Sequence, residues 1–285
     1  MIEAKIICDS LAPCGKRLTT YVLTYPWSIH PQLLTHRVFS RNSQSARAMP
    51  IAKMVERCLQ NPAIPERWGR NGKGMQPKGD LPEYENARAK YLVENLMDKA
   101  ISCVERLEYL EVHKEQTNRY LLPFSHITTI LSGTEFDNFF AQRVHADAQH
   151  EIQDLAGQML GLYLTNEPKQ LKAGEWHVPF GDRYVDGLEE FQRVQVATGR
   201  IARVSYMTFD GSIDTASDMR LHNDLWEAPH PSPFEHCAMA SSEPTRSNNF
   251  IGFCQYRELL DAKHQRGPMA KPQLQAIYDK WKEGK

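Results

Sequence analysis

One apolar stripe, running from Phe136 to Leu162, constrains the fold of this chain more than any other feature. Phe136, Phe140, Val144, Ala148, Ile152, Leu155, Met159 and Leu162 recur at steps of three and four residues. That spacing puts them on one side of a helix and predicts a single long helix beginning at Thr134. Asp137 stands three residues after Thr134 in capping-box style, although Asp is weaker there than Glu. A helix with so long an apolar face must lie against another layer. A second stripe, Leu92, Leu96, Ala100, Cys103, Leu107 and Leu110, predicts another helix from Glu83 to about Val112. Residues 18–25, Leu-Thr-Thr-Tyr-Val-Leu-Thr-Tyr, are β-branched and aromatic and predict a strand.

Arg143 lies beside the first stripe. At 100° per residue it projects about 20° from Phe136 and about 60° from Phe140. A guanidinium turned toward a core needs a fixed partner, because an unpaired buried charge is costly. Asp147, one turn on, is one candidate partner.

Apolar residues make up 41% of the 285, enough for a substantial core, and the chain reads as one domain over residues 1–285. A formal net charge of −1 offers no long-range attraction for polyanions, so an anionic ligand requires a local arginine cluster. Cys8, Cys14, Cys58, Cys103, Cys237 and Cys254 are scattered without a Cys-x-x-Cys pair and read as reduced thiols of a cytoplasmic protein. No signal peptide is visible, and no apolar run approaches a membrane span. Nor does a Gly-x-Gly-x-x-Gly element support a Rossmann cofactor site.

Residues 61–82, rich in Pro and Gly, predict a loop long enough to act as a lid or binding loop. Its Arg67, Arg70, Lys73 and Lys78 either approach a phosphate or form a solvated surface. Residues 165–190 read as a connecting segment, Gly187 to about Val204 as a short helix, and 209–217 as a polar turn. Pro229, Pro231 and Pro233 predict an extended course around His230.

The candidate chemistry concentrates between Gln32 and Arg47. His36 and Arg37 are followed by Ser40, Asn42, Ser45 and Arg47, so cations alternate with small hydroxyl and amide groups. Arg47 can hold an oxyanion bidentately, and Ser45 with nearby backbone N–H groups can complete a phosphate cradle. On its own this is a basic loop. The stretch closely resembles the signature of the flavin-dependent thymidylate synthases, Arg-His-Arg followed by a spaced Ser and Arg, with Thr35 at the family's first Arg. Arg119-Tyr-Leu-Leu-Pro123 resembles the family's Arg-x-x-x-Pro segment. The run from Ser132 through Arg143 to Asp147-Ala-Gln-His-Glu-Ile152 resembles its helix ending in Ala-Gln-x-Glu-Ile. Ala202-Arg-Val-Ser-Tyr206 and His230-Pro-Ser-Pro-Phe-Glu-His236 are similar to its Ala-Arg-x-Ser and His-x-Ser-Pro-x-Glu-His elements. In the family these two elements precede the Arg-His-Arg segment. Here they follow it, so the chain reads as circularly permuted, which is tolerated when the former termini lie close together at the surface.

The resemblance implies an α+β fold, a mixed sheet flanked by long helices, and a homotetramer with flavin sites where subunits meet. It assigns Gln32, Ser45, Ala46, Arg47 and Arg119 to the nucleotide, and His36, Arg37, Asn138, Ser205, His230, Ser232 and Glu235 to the flavin side. Arg143 matches the family's arginine at the uracil ring, where a permanently charged donor beside the N3–C4=O edge would stabilise the anion that makes C5 nucleophilic. Each of these residues alone reads as an ordinary surface group, Asn138 as a helix amide and Glu235 as a partner for water or a neighbouring Arg. Their joint spacing argues otherwise. His230, His236 and Cys237 suggest zinc only weakly, without a second ligand pair at matching spacing. No enzyme nucleophile is implied, and Cys237 reads as a buried, inert thiol. Thr35, Ser43 and Thr134 depart from the family's Arg, Glu and Arg.

The expected activity is reductive methylation of dUMP to dTMP, with FAD carrying hydride from NADPH and methylenetetrahydrofolate supplying the carbon. A hydroxymethylated product, or another pyrimidine nucleotide, is the alternative among enzymes. A nucleic-acid-binding module built on Arg37–Arg47 is the alternative of another class, and the near-neutral charge counts against it. An inactive relative is a further reading of the three departures. Neither membrane nor nucleic acid is expected as a partner.

Overall fold

A computed structural model of the chain describes residues 1–74, 76–181, 187–206, 214–228, 230–264, 267 and 269–284. The β-branched run forms β2 (Arg17–Pro26), which pairs antiparallel with β1 (Glu3–Leu11) and with β4 (His126–Gly133). β3 (Ser40–Ser43) adds antiparallel to β4, and β5 (Lys169–Gln170) adds parallel to β1. The result is a mixed five-stranded sheet in the order β3-β4-β2-β1-β5, with β3 at an edge.

Side chains alternate across these strands, so the sheet feeds two cores. Tyr21, Leu23 and Tyr25 of β2 join Ile127 and Leu131 of β4 on one face, which α5 (Asp137–Arg143) and α6 (His150–Thr165) cover. Ile130 of β4 and Val22 of β2 enter the opposite core with α7 (Glu190–Tyr206), α8 (Thr215–Glu227) and α9 (Tyr256–Lys263). A third cluster joins α2 (Ile51–Gln60) and α3 (Glu83–Tyr109) to the turn Asn118–Phe124 that follows α4 (Lys114–Thr117). Short α1 (His30–Leu34) leads from β2 toward β3. β6 (Trp176–His177), β7 (Ala238–Ala240) and β10 (Phe253–Gln255) form a small sheet, and β8 (Arg246–Ser247) pairs with β9 (Phe250–Ile251). α10 (Lys271–Glu283) buries none of its residues. Gly133 ends β4 where an aromatic cluster closes: a Cβ there would stand 2.7 Å from Cδ1 of Phe39, whose ring lies 4.9 Å from Phe136.

Several expectations need correction. The long helix from Thr134 is two helices, interrupted over residues 144–149. Nδ1 of His145 accepts from the backbone N–H of Asp147 at 3.2 Å, a local bond that competes with the helical ladder. Thr134 does not cap; its Oγ1 accepts from the backbone N–H of Ile251 at 3.0 Å. The stripe still shares one core, with Phe136, Phe140, Ile152, Leu155 and Met159 buried. α3 runs close to its expected bounds but buries Met97, Ile101 and Val104, leaving Leu92, Leu96, Cys103 and Leu110 exposed. Only the side of α3 facing α2 and the Asn118–Phe124 turn is covered, so the expected stripe points elsewhere.

The helix expected after Gly187 is α7. Of the expected polar turn, residues 207–213 lie outside the described residues, and Thr215 already opens α8. Pro229 also lies outside them. Ser232–Glu235 is a 3-10 turn, with Pro231 at φ −80° and ψ −13°, and not the extended course expected. Proline is tolerated in such a first turn because its missing N–H would go unused there. The 61–82 loop is pinched into a hairpin: Arg70 N–H donates to Gly79 O at 2.8 Å, and Arg67 pairs with Asp80 at 2.7 Å. Among the described residues no helix is long and apolar enough to cross a membrane.

Candidate active site

β3 presents the middle of the basic segment at the sheet edge, where α7 and the Ser232–Glu235 turn meet it. Asn42 Nδ2 donates to Ile201 O at 2.7 Å, and Ser232 Oγ donates to Asn42 Oδ1 at 3.1 Å. Just beyond the strand, Ser45 N–H donates to Ser205 O at 3.1 Å. These bonds shape a cleft of about 530 Å3. Arg41, Ser43, Ser45 and Arg47 line one wall, and Ser205, His230 and Ser232 the other. Five residues assigned by resemblance (Ser45, Arg47, Ser205, His230 and Ser232) therefore meet in one place. Two guanidinium groups among hydroxyls make a setting suited to an oxyanion.

Arg143 anchors a second cluster at the end of α5. Its Nε donates to Nε2 of His36 at 2.9 Å, Nη1 to Oε1 of Gln32 at 3.4 Å, and Nη2 to Oγ1 of Thr35 at 3.3 Å. Asp147 instead lies 3.6 Å from His145. His36 is buried, and burial first, then the charges of Arg143 and Arg41, push its pKa below the usual imidazole range. A neutral ring accepting at Nε2 carries its proton on Nδ1, a tautomer inferred from the donor facing it. All three acceptors around Arg143 are neutral, so its charge is fixed in place without being cancelled.

Arg47 and Arg119 converge on Glu115, at 3.4 and 3.6 Å from Oε1. Both remain largely exposed, with 73% and 64% of their side-chain surfaces open. Glu115 was not singled out from the sequence, although its position four residues before Arg119 on a helix is a recognisable pairing signal. Ala46 contributes its carbonyl, which accepts from Asn118 Nδ2 at 2.8 Å. Glu235 forms an ion pair with Arg257; burial raises its pKa, against the opposing pull of Arg257 and Arg41. Arg37 and Asn138 are exposed and line no part of the cleft, and Asn138 Oδ1 accepts from Gln142 Nε2 at 3.0 Å. Arg41 is the cleft cation that sequence reasoning missed. A lone Arg between Ser40 and Asn42 carries no pattern that announces it.

His236 lies apart from His230, fully buried behind the sheet. Its Nδ1 hydrogen-bonds with Ser132 Oγ at 2.8 Å, Ser132 with Thr20 Oγ1 at 2.7 Å, and Thr20 with Nε2 of His177 at 2.8 Å. Burial lowers the pKa of both rings to about 3. Cys237 is buried, and its thiol is pushed up to about 12 by burial. Among the described residues no three His, Cys, Asp or Glu side chains gather to hold a metal ion.

Residues 17–168, more than half of the 285, match the model of a family described as thymidylate synthase complementing protein. The match ends before the Ala202 and His230 segments. No protein of curated function matches the chain significantly. Two solved structures of a UMP/dUMP methylase PolB from Streptomyces cacaoi, bound with 5-Br UMP and with 5-Br dUMP, are similar in fold at 14% and 15% identity. Their TM-scores are 0.48 and 0.49; each alignment covers 57% of this chain, with 88% and 90% of the respective methylase chains. On the strength of the family match, the chain belongs to the thymidylate synthase complementing protein family, the flavin-dependent thymidylate synthases.

Proposed function

We propose that the protein moves a one-carbon unit from methylenetetrahydrofolate to C5 of dUMP and reduces it, giving dTMP. Family membership supports the class of reaction. The observation that carries the reading is the convergence of Ser45 and Arg47 with Ser205, His230 and Ser232 on one cleft. The methylene carbon and a hydride from NADPH end in the new methyl group. Both N–CH2 bonds of the folate break, its two nitrogens take up one proton equivalent to that lost from C5 and one from solvent, and tetrahydrofolate and NADP+ are released. FAD, when bound, supplies the hydride-carrying chemistry between NADPH and that carbon.

The residues fit such ligands, because flavin and nucleotide alike present phosphate oxyanions to a cleft with two guanidinium groups. In this reading Ser45, Ala46, Arg47, Arg119 and Gln32 hold the nucleotide, while His36, Arg37, Asn138, Ser205, His230, Ser232 and Glu235 serve the flavin side. Arg143 faces the uracil ring with a fork of donors held in place by His36, Gln32 and Thr35. The exposure of Arg37 and Asn138 supports a site completed by other copies of the chain in a homotetramer. Arrival of 202–206 and 230–236 from beyond the family match is in keeping with a circularly permuted order. A hydroxymethyl product is the second reading. Ser43, a cleft residue standing where the family has Glu, is the departure that reading starts from.

The test is an absorption spectrum of the purified protein, followed by the mass of the product formed from dUMP, methylenetetrahydrofolate and NADPH. Flavin bands and a C5-methyl product are expected. A C5-hydroxymethyl product selects the second reading, and protein that takes up no flavin overturns both.

A further inference from the structure

We propose that Arg41 is an anion-binding residue of the cleft, holding a guanidinium beside position 35 for a phosphate oxyanion. Its location makes the case. Arg41 projects from the edge strand β3, half-buried, and its Nη1 donates to Leu34 O at 2.8 Å. The side chain thus reaches back to the last residue of α1, immediately before Thr35, while also lining the cleft with Ser43, Ser45 and Arg47.

A cation so placed is normally matched by a carboxylate. Among the described residues none lies in ion-pair contact with Arg41; Glu235, whose charge it senses, is engaged by Arg257. Its other neighbours are Tyr25, His30 and His36, and burial and cationic neighbours keep both imidazoles below their usual pKa. Burial pushes the guanidinium's own pKa down, against the opposing pull of Glu235 and Tyr25. One carbonyl bond fixes the group, and its remaining N–H donors form a planar fork for a bidentate oxyanion. Thr35 cannot supply this charge. Its hydroxyl donates to Gln32 O at 2.7 Å and accepts from Arg143. Position 41 therefore delivers a cation to the place where residue 35 has none.

The oxyanion belongs either to the flavin's diphosphate or to the nucleotide's phosphate, so the assignment rests on the function proposed above for its source but not for its chemistry. The experiment is calorimetric titration of the whole chain, wild type against Arg41→Gln and Arg41→Lys, with FAD, dUMP and inorganic pyrophosphate. Arg41→Gln is expected to weaken at least one of the three by about tenfold or more, the scale of a lost charged hydrogen bond. Arg41→Lys keeps the charge but loses the fork and is expected to weaken the same probe by roughly threefold or more. This variant decides the matter if the glutamine protein does not fold. Weakened FAD alone identifies the diphosphate, and weakened dUMP alone the monophosphate. Weakened pyrophosphate in a protein that binds neither nucleotide keeps the anion site and rejects the proposed function. Unchanged affinity for all three, or a wild type that binds none, overturns the assignment.

Discussion

Arg143 and His36 form a donor–acceptor pair in which the guanidinium Nε gives its hydrogen to the imidazole Nε2 across 2.9 Å. The pair works only while His36 is neutral, because a protonated ring has no acceptor to offer. Its folded pKa lies below the unfolded value of 6.5, so the unfolded chain binds the proton first as pH falls. The stability associated with the neutral ring is complete above that value and declines on acidification below it. In the folded chain the ring stays neutral down to its lowered pKa, so Arg143 keeps its seat until the pH has passed below it.

Replacing Arg143 with Lys keeps the charge and discards the fork that reaches His36, Gln32 and Thr35 together. Turnover is expected to drop by roughly tenfold or more, the scale of one misplaced electrostatic donor, while flavin binding persists. Single-turnover kinetics of the reduced enzyme at saturating nucleotide and folate make the measurement. Wild-type turnover in Arg143→Lys would mark the residue as structural.

Glu115 Oε1 lies within ion-pair reach of both Arg47 and Arg119, the two cations that the proposed function gives to the nucleotide. Arg47→Ala is expected to weaken dUMP binding by about 2 kcal/mol, the loss of a charge-assisted contact. Glu115→Gln acts in the opposite sense, tightening dUMP by removing a competing carboxylate. Because exposed ion pairs contribute only about 0–1 kcal/mol, its melting temperature should barely move. Calorimetric titration beside a thermal melt reads both. Weaker dUMP binding in Glu115→Gln would show the carboxylate to be an organiser of the arginines.

The buried rings of His177 and His236, with folded pKa values of about 3, make the fold sensitive to acid. Between that value and the unfolded 6.5 the unfolded chain binds more protons, so stability falls as pH falls. Each ring contributes a slope of up to about 1.4 kcal/mol per pH unit. Urea midpoints from pH 7.5 down to about 5 should decline for the wild type and flatten for His236→Gln, despite its lower stability at neutral pH. An equally steep decline in that variant would assign the acid sensitivity elsewhere.

Much of this architecture is legible in local chemistry, and the exceptions have physical causes. The run 18–25 announces β2 because β-branched and aromatic residues suit a sheet covered on both faces. α3 offers two apolar stripes, and local periodicity cannot tell which one neighbours will cover, so Leu92 and Leu96 end up outside. The break after Arg143 is held by turn bonds inside an otherwise continuous stripe, the N–H of Asp147 donating to His145 Nδ1 and that of Ala148 to His145 O. In the site, Ser45 and Arg47 are readable from their spacing. The seat of Arg143 exists only once segments 107 residues apart have docked, and the reach of Arg41 back over seven residues to Leu34 is set by a turn that no periodicity announces.

Leu92 and Leu96, together with Tyr84 and Tyr91, leave the first half of α3 with large apolar side chains exposed. A homotetramer would cover such a surface. Light scattering is expected to give a mass near four chains, and Leu92→Glu with Leu96→Glu to lower it. A stable monomer with full activity would contradict a site shared between copies.

The bonds that close the cleft join residues far apart in the chain: 159 positions separate Asn42 from Ile201, and 190 separate it from Ser232. Loops of that span close late, after local helices and hairpins have formed, because their entropy must be lost before any contact compensates it. During synthesis, β2, β3 and β4 leave the ribosome well before Ser232 does. The cleft cannot exist on a nascent chain that has not yet delivered Ser232, so ligand binding there registers the docking of the segment that carries His230 and Ser232.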